Sequence, residues 1–211
     1  MKKDCLNLAF IGAVLVLTAC SEAPKPAASE TKSEPETKKA AEIAGPVYAK
    51  TAFWEMYKLA HAWAPDVVPL SMVSKEVPGI KNGAGKAGMW TATFVSPSLR
   101  QARNLSYSVG AAPPNISKGV DVGRPVPWGP TRDAMPFQTS DFAIDSDAAY
   151  KTAFAKAEGW VKQHPDKQAA LTLGHNAARF HTPVWYVQWG ATKSGYAAFV
   201  NATTGAAVNA K

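Results

Sequence analysis

"KTAF" occurs at residues 50–53 and again at 151–154. A tetrapeptide can repeat by chance in a 211-residue chain this rich in Ala and Lys. Its meaning therefore depends on its surroundings. Each copy is followed by a Pro-Asp pair, Pro65-Asp66 and Pro165-Asp166. At the KTAF offset of 101, one more than that of the Pro-Asp pairs, Leu70 in "PLSM" stands opposite Leu171 in "ALTL". "MWTATFV" from Met89 then lies against "VWYVQWG" from Val184, with Trp90 over Trp185. The Asp-to-Trp spacing is 24 residues in the first copy and 19 in the second, and the difference falls where loops are expected. An ordered series of matches points to an internal duplication.

The first copy places Ala49, Phe53, Met56, Ala60 and Trp63 at helical spacing. In the KTAF register their counterparts are Tyr150, Phe154, Ala157, Val161 and His164. "DSDAAY" offers Ser146 as an N-cap, with Asp147 in the first turn where the helix dipole favours an anion. Both helices are expected to stop near the Pro-Asp pair, because Pro cannot continue a helix interior. Short strands follow. "LSMVSKEV", "GMWTATFV" and "NLSYSVG" are the candidates in the first half, and "ALTLGH", "VWYVQW", "GYAAFV" and "GAAVN" in the second. Trp185, Val187 and Trp189 alternate onto one face. The predicted fold is α+β: two tandem units, each a helix on an antiparallel meander, in two layers. The first unit spans 46–112, a Pro-rich connector 113–139, and the second unit 140–211.

The second half resembles a PepSY module. The resemblance rests on "FAIDSDAAYKTAFAKAEGWVKQHP" (142–165), a capped helix with a regular Ala series, and on the terminal hairpin Phe199-Val200-Asn201-Ala202-Thr203-Thr204-Gly205. The first half is similar only through its likeness to the second, and it lacks an "NATTG" equivalent. The resemblance implies a non-catalytic extracytoplasmic module, of a kind found in protease propeptides and envelope proteins, with an inhibitory or protein-binding role.

The N-terminus reads as a targeting signal. Lys2 and Lys3 precede an apolar run from Leu6 to Ala19, too short for a comfortable membrane span and suited to a signal-peptide core. "LTAC" (17–20) resembles the lipobox of bacterial lipoproteins. That resemblance implies a signal peptide over 1–19, cleavage before Cys20, and diacylglyceryl and N-acyl lipid on Cys20. The other cysteine, Cys5, would leave with the signal, so the mature domain has no thiol for disulfides, Cys-ligated metal or nucleophilic catalysis. Residues 20–45 are built of Ser, Glu, Lys, Pro, Thr and Ala, and read as a disordered linker. Ser21, in place of the Asp that retains enterobacterial lipoproteins at the inner membrane, favours the outer membrane, facing the periplasm.

The charge of the whole chain is +7. Such an excess suits anionic neighbours, while export makes nucleic acid an improbable partner. There is no G-x-S-x-G elbow, H-E-x-x-H, Walker loop or dinucleotide fingerprint. His175 and His181 flank Arg179, but no carboxylate or third His is near in sequence, so a metal site is not expected. Asp141, Asp145 and Asp147 lack the Gly and distal Glu of a calcium loop. No catalytic residue, metal or further cofactor is predicted.

Two regions exceed what the fold needs. Trp54, Tyr57 and His61 form a second stripe on the first helix, where the KTAF register gives Ala155, Glu158 and Lys162 on the second. The Pro-rich connector carries Trp128 and Phe137. These five residues either pack between the units or form a partner-binding surface. The expected function is a non-enzymatic, lipid-anchored protein-binding module or a subunit of an envelope assembly. The alternative is an inhibitor or chaperone of an extracytoplasmic hydrolase.

Overall fold

The computed structural model describes residues 45–210. The expected signal peptide, lipidation at Cys20 and the linker up to residue 44 lie outside the described residues. The chain is α+β. Helix α1 (Ala49–Trp63) is followed by strands β1 (Val68–Lys75), β2 (Met89–Ser96), β3 (Gln101–Ser108), β4 (Gly119–Val122) and β5 (Val126–Pro127). A short 3-10 turn (Thr139–Asp141) leads into α2 (Ser146–Gln163). Strands β6 (Ala169–Gly174), β7 (Val184–Trp189), β8 (Tyr196–Asn201) and β9 (Ala207–Val208) complete the described residues. All nine strands join one antiparallel sheet in the order β4-β3-β2-β1-β6-β7-β8-β9, with β5 also on β3. The order reads the same outward from the β1–β6 pair, whose central register sets Met72 opposite Leu173.

Alternation explains which face each helix covers. Trp90, Ala92 and Phe94 of β2 are fully buried against α1, and Trp185, Val187 and Trp189 of β7 against α2. The two indoles make the same bond in their own halves. The Trp90 indole N–H donates to the Val47 carbonyl at 3.0 Å, and that of Trp185 to the Ile144 carbonyl at 2.9 Å. Val47 and Ile144 each stand two residues before a helix.

Aligning the two halves on these bonds sets the helices in one register. Ala49, Ala52, Met56 and Ala60 of α1 occupy the buried positions that Ser146, Ala149, Ala153 and Ala157 hold in α2. Trp63 then corresponds to Trp160, and the first KTAF to residues 147–150. The two KTAF segments are therefore one helical turn out of step. The strands give a second correction. Met72 pairs with Ala92 as Leu171 pairs with Val187, so Leu171 corresponds to Met72. Leu70 sits instead in the irregular step between Pro69 and Ser71.

The helix starts also differ from expectation. The N-cap of α2 is Asp145, whose carboxylate accepts from the Ser146 N–H at 2.7 Å. Ser146 has another task. Its buried hydroxyl accepts from the Ala49 N–H at 2.9 Å, and Asp145 also accepts from the Lys50 N–H at 2.9 Å. The N-cap of α1, Tyr48, makes no side-chain capping bond. The first N–H groups of a helix need outside acceptors, and α2 supplies them to α1. Ser146→Ala strands the buried Ala49 N–H and is expected to cost about 1–3 kcal/mol. Urea unfolding checks this; a loss below about 0.5 kcal/mol would show that the bond contributes nothing.

Each Pro-Asp pair follows its helix, but the two acids act differently. Asp66 accepts from the Ser96 hydroxyl at 2.7 Å and the Ser98 N–H at 2.8 Å, tying the exit of α1 to the β2–β3 turn. Those bonds hold its carboxyl below the usual aspartate value. Asp166 pairs with its exposed neighbour Lys167.

The Pro-rich stretch is only partly a connector. Its residues 119–122 form β4, which flanks β3 as β9 flanks β8. An edge strand thus lies within the stretch expected to be a connector. The chain then returns to the seam of the sheet, where the Met135 N–H donates to the His175 carbonyl at 2.9 Å and the Phe137 N–H to the Pro69 carbonyl at 3.0 Å.

Candidate functional site

The residues singled out in the sequence fall in three places. Trp54, Tyr57 and His61 share one flank of α1. Trp54 is 48% exposed and sits edge-on to Tyr57, ring centroids 5.5 Å apart. Tyr57 is half-buried, stacks on the buried Phe53 at 5.6 Å and touches Phe94. His61 is exposed and continues the row, 5.9 Å from Tyr57. The outer rings thus rest on core rings. An exposed Trp held in this way has little freedom left to lose on binding.

The same positions of α2 have another character. Trp54 corresponds to the exposed Lys151, Tyr57 to Phe154, and His61 to Glu158. Glu158 pairs with Lys162 at 2.8 Å, and that hydrogen bond and charge lower its carboxyl pKa. Leu59, 45% exposed on the other flank of α1, corresponds to Lys156. At two of these positions, Trp54 against Lys151 and Leu59 against Lys156, α1 presents an apolar group where α2 presents charge.

Of the two alternatives for Phe137, packing and a partner surface, the structure has packing. Phe137 is 3% exposed and belongs to the main core, placed there by its bond to Pro69. Trp128 is half-buried at the end of β5, its backbone N–H donating to the Arg100 carbonyl at 2.8 Å. Among the described residues no ring-to-ring contact joins either of them to the α1 row. The five residues are not one surface.

A cavity of about 250 Å³ lies on the sheet face away from the helices. Its walls include Leu70 and Ser71 of β1, Thr172 and Leu173 of β6, Tyr186 of β7 and Phe199 of β8. Segment 174–180 and the returning connector at Asp133-Ala134 complete it. Tyr186 stacks on Phe199 at 5.2 Å, and Phe180 tilts against Phe199 at 4.9 Å. Arg179 lies over both Phe180 and Phe199, at 5.5 and 5.2 Å from their centroids. The Asn176 carboxamide oxygen accepts from the Arg179 N–H at 3.1 Å and its backbone carbonyl from the Phe180 N–H at 2.8 Å, which sets the turn. His175 Nε2 is buried without a hydrogen-bond partner.

In the sequence His175 and His181 have no carboxylate or third His near them. The fold brings Asp133 to the same cavity from the connector. Among the described residues no group of three or more His, Cys, Asp or Glu is placed to hold a metal ion. Nor is any described helix long and apolar enough to cross a membrane.

No family model matches the chain, and no curated protein matches it in sequence. Among solved structures it is similar to a protein from Clostridium difficile 630 titled "a putative lipoprotein". The match is 8% identical, has a TM-score of 0.43, and covers 76% of this chain and 91% of that one. A likeness that distant carries no argument about the present chain.

Proposed function

We propose that this chain is a lipid-anchored protein of the cell envelope, built of two PepSY-like helix-plus-meander units, that binds a partner protein and performs no catalysis. The lipobox-like "LTAC" at 17–20 supports the anchor, at the outer membrane given Ser21. The sheet order, symmetrical about β1–β6, supports two related units. The observation that carries the binding role is the exposed Trp54, braced on Tyr57 and Phe53, at a position where α2 has Lys151. Trp and Tyr dominate interface hot spots, and a half that does not bind would keep the charged residue.

The substitution Trp54→Lys gives α1 the residue of α2 and tests this directly. Stability is expected to stay within about 0.5 kcal/mol, as for an exposed site. Recovery of the partner from solubilised envelope by the full-length protein is expected to fall at least tenfold, the loss of a hot spot of about 2 kcal/mol. Equal recovery by both proteins would remove α1 from the interface.

A further inference from the structure

We propose that the cavity under Arg179 binds a small organic carboxylate with an apolar body, one aromatic ring or a short acyl chain in size. This site is separate from the α1 flank and does not depend on the protein-binding reading. Three features select the ligand class.

The first is the wall. Leu70, Leu173, Phe180, Val184, Tyr186 and Phe199 make it mainly apolar. Ligand pockets are characteristically apolar with a few convergent polar groups, and run from roughly 300 to 1,000 Å³. At about 250 Å³ this one suits a single ring or short chain.

The second is the cation. Arg179 is an exposed residue whose guanidinium lies over two rings, and the Asn176 turn fixes its backbone. Among the described residues the ion pairs are Lys58–Glu55, Lys162–Glu158 and Lys167–Asp166, so the Arg179 guanidinium is in none. A planar guanidinium fits a carboxylate with two parallel hydrogen bonds. Sites for phosphate usually assemble several donors, and here there is one cation. Asp133, exposed on the lining, disfavours a dianion further.

The third is His175. Its Nε2 is the one buried side-chain nitrogen or oxygen among the described residues without a hydrogen-bond partner. Unsatisfied groups of this kind need an explanation. A ligand oxygen in a cavity that His175 lines can supply the missing partner after a small adjustment of the ring.

The test uses the mature chain with Cys20→Ser, so that no lipid is attached, and three probes of one shape: phenylacetate, phenylacetamide and phenethylamine. Ligand-observed NMR titration measures each affinity. Phenylacetate is expected to bind saturably, at least tenfold tighter than the neutral amide and the amine. Arg179→Gln is expected to lower phenylacetate affinity at least tenfold. Asp133→Asn is expected to leave it unchanged or raise it. Equal binding of acid and amide, or no saturable binding of the acid at 10 mM, would overturn the proposal. So would full affinity in Arg179→Gln, or a loss of affinity in Asp133→Asn, which would indicate a zwitterionic ligand. The comparison of probes on the unsubstituted cavity stands even if a variant folds poorly.

Discussion

Trp185→Ala is expected to lower the stability of the domain by about 3–5 kcal/mol, the range for truncating a large buried aromatic. Trp185 is fully buried and central to the packing. Its ring meets Phe142 at 5.6 Å and Trp90 at 6.3 Å, both near edge-to-face. Phe142 also meets Phe53 of α1 at 5.3 Å. One side chain thus links β7, β2 and the approach to α2. Its indole N–H is the donor to the Ile144 carbonyl, which lies one residue before the cap Asp145. Removing it opens a cavity and leaves that carbonyl unpaired. Trp185→Phe keeps a ring and loses the donor, so it should cost less, by roughly 1–2 kcal/mol. Since domain stabilities are about 5–15 kcal/mol, the alanine variant should lose a large share of the total. Urea titration by far-UV circular dichroism measures both variants. A single transition with unchanged slope is expected, because the sheet is continuous across β1–β6. A cost below 1 kcal/mol for Trp185→Ala would mean that the packing described here is wrong.

Gly85→Ala is the second large effect, at about 2–5 kcal/mol. Gly85 has φ +83°, a left-handed conformation that costs a side-chain-bearing residue about 1–2 kcal/mol. A Cβ there would also meet the Ser146 carbonyl oxygen, with the Ser146 carbonyl carbon at 2.7 Å and the Asp147 Cα at 2.8 Å. These are backbone atoms of the first turn of α2 and cannot rotate away. The overlap adds about 1–3 kcal/mol. Gly79 is the control, with φ +79° and nothing within 4 Å of its Cβ position. Gly79→Ala should show the conformational cost alone. The difference between the two variants therefore measures how tightly loop 83–86 lies on the start of α2. Equal costs would show that the loop is free to lift.

Much of the sheet was legible because its strands alternate cleanly. β7 coincides with "VWYVQW", and β2 lies within a residue or two of its expected span. The helix register was not legible, for a specific reason. The buried face of α2 is Ala149, Ala153 and Ala157, an apolar residue every four. Sliding such a helix by four residues preserves its pattern, so the KTAF match could pull it one turn out of register. The better signal was Trp63 against Trp160, two large residues near the helix ends. β4 was missed because Gly119–Val122 is short and lies among prolines. The choice between core and surface for Phe137 was not legible because its environment is made by Pro69, distant in the chain. The cavity was hidden for the same reason: Asp133 and Arg179 meet only once the connector has returned to the seam. The charge contrast between the helices survived the change of register. Trp54 faces a small Ala155 in the KTAF alignment and Lys151 in the structural one, and the second contrast is the sharper.

A photo-crosslinking residue at position 54, compared with one at position 151, tests the central claim most directly. The full-length protein is irradiated in intact envelopes, and adducts are resolved by mass. The account predicts a discrete protein adduct from position 54 and none of that mass from position 151. Adducts of the same mass and yield from both positions, or none from position 54, would contradict a partner site on α1.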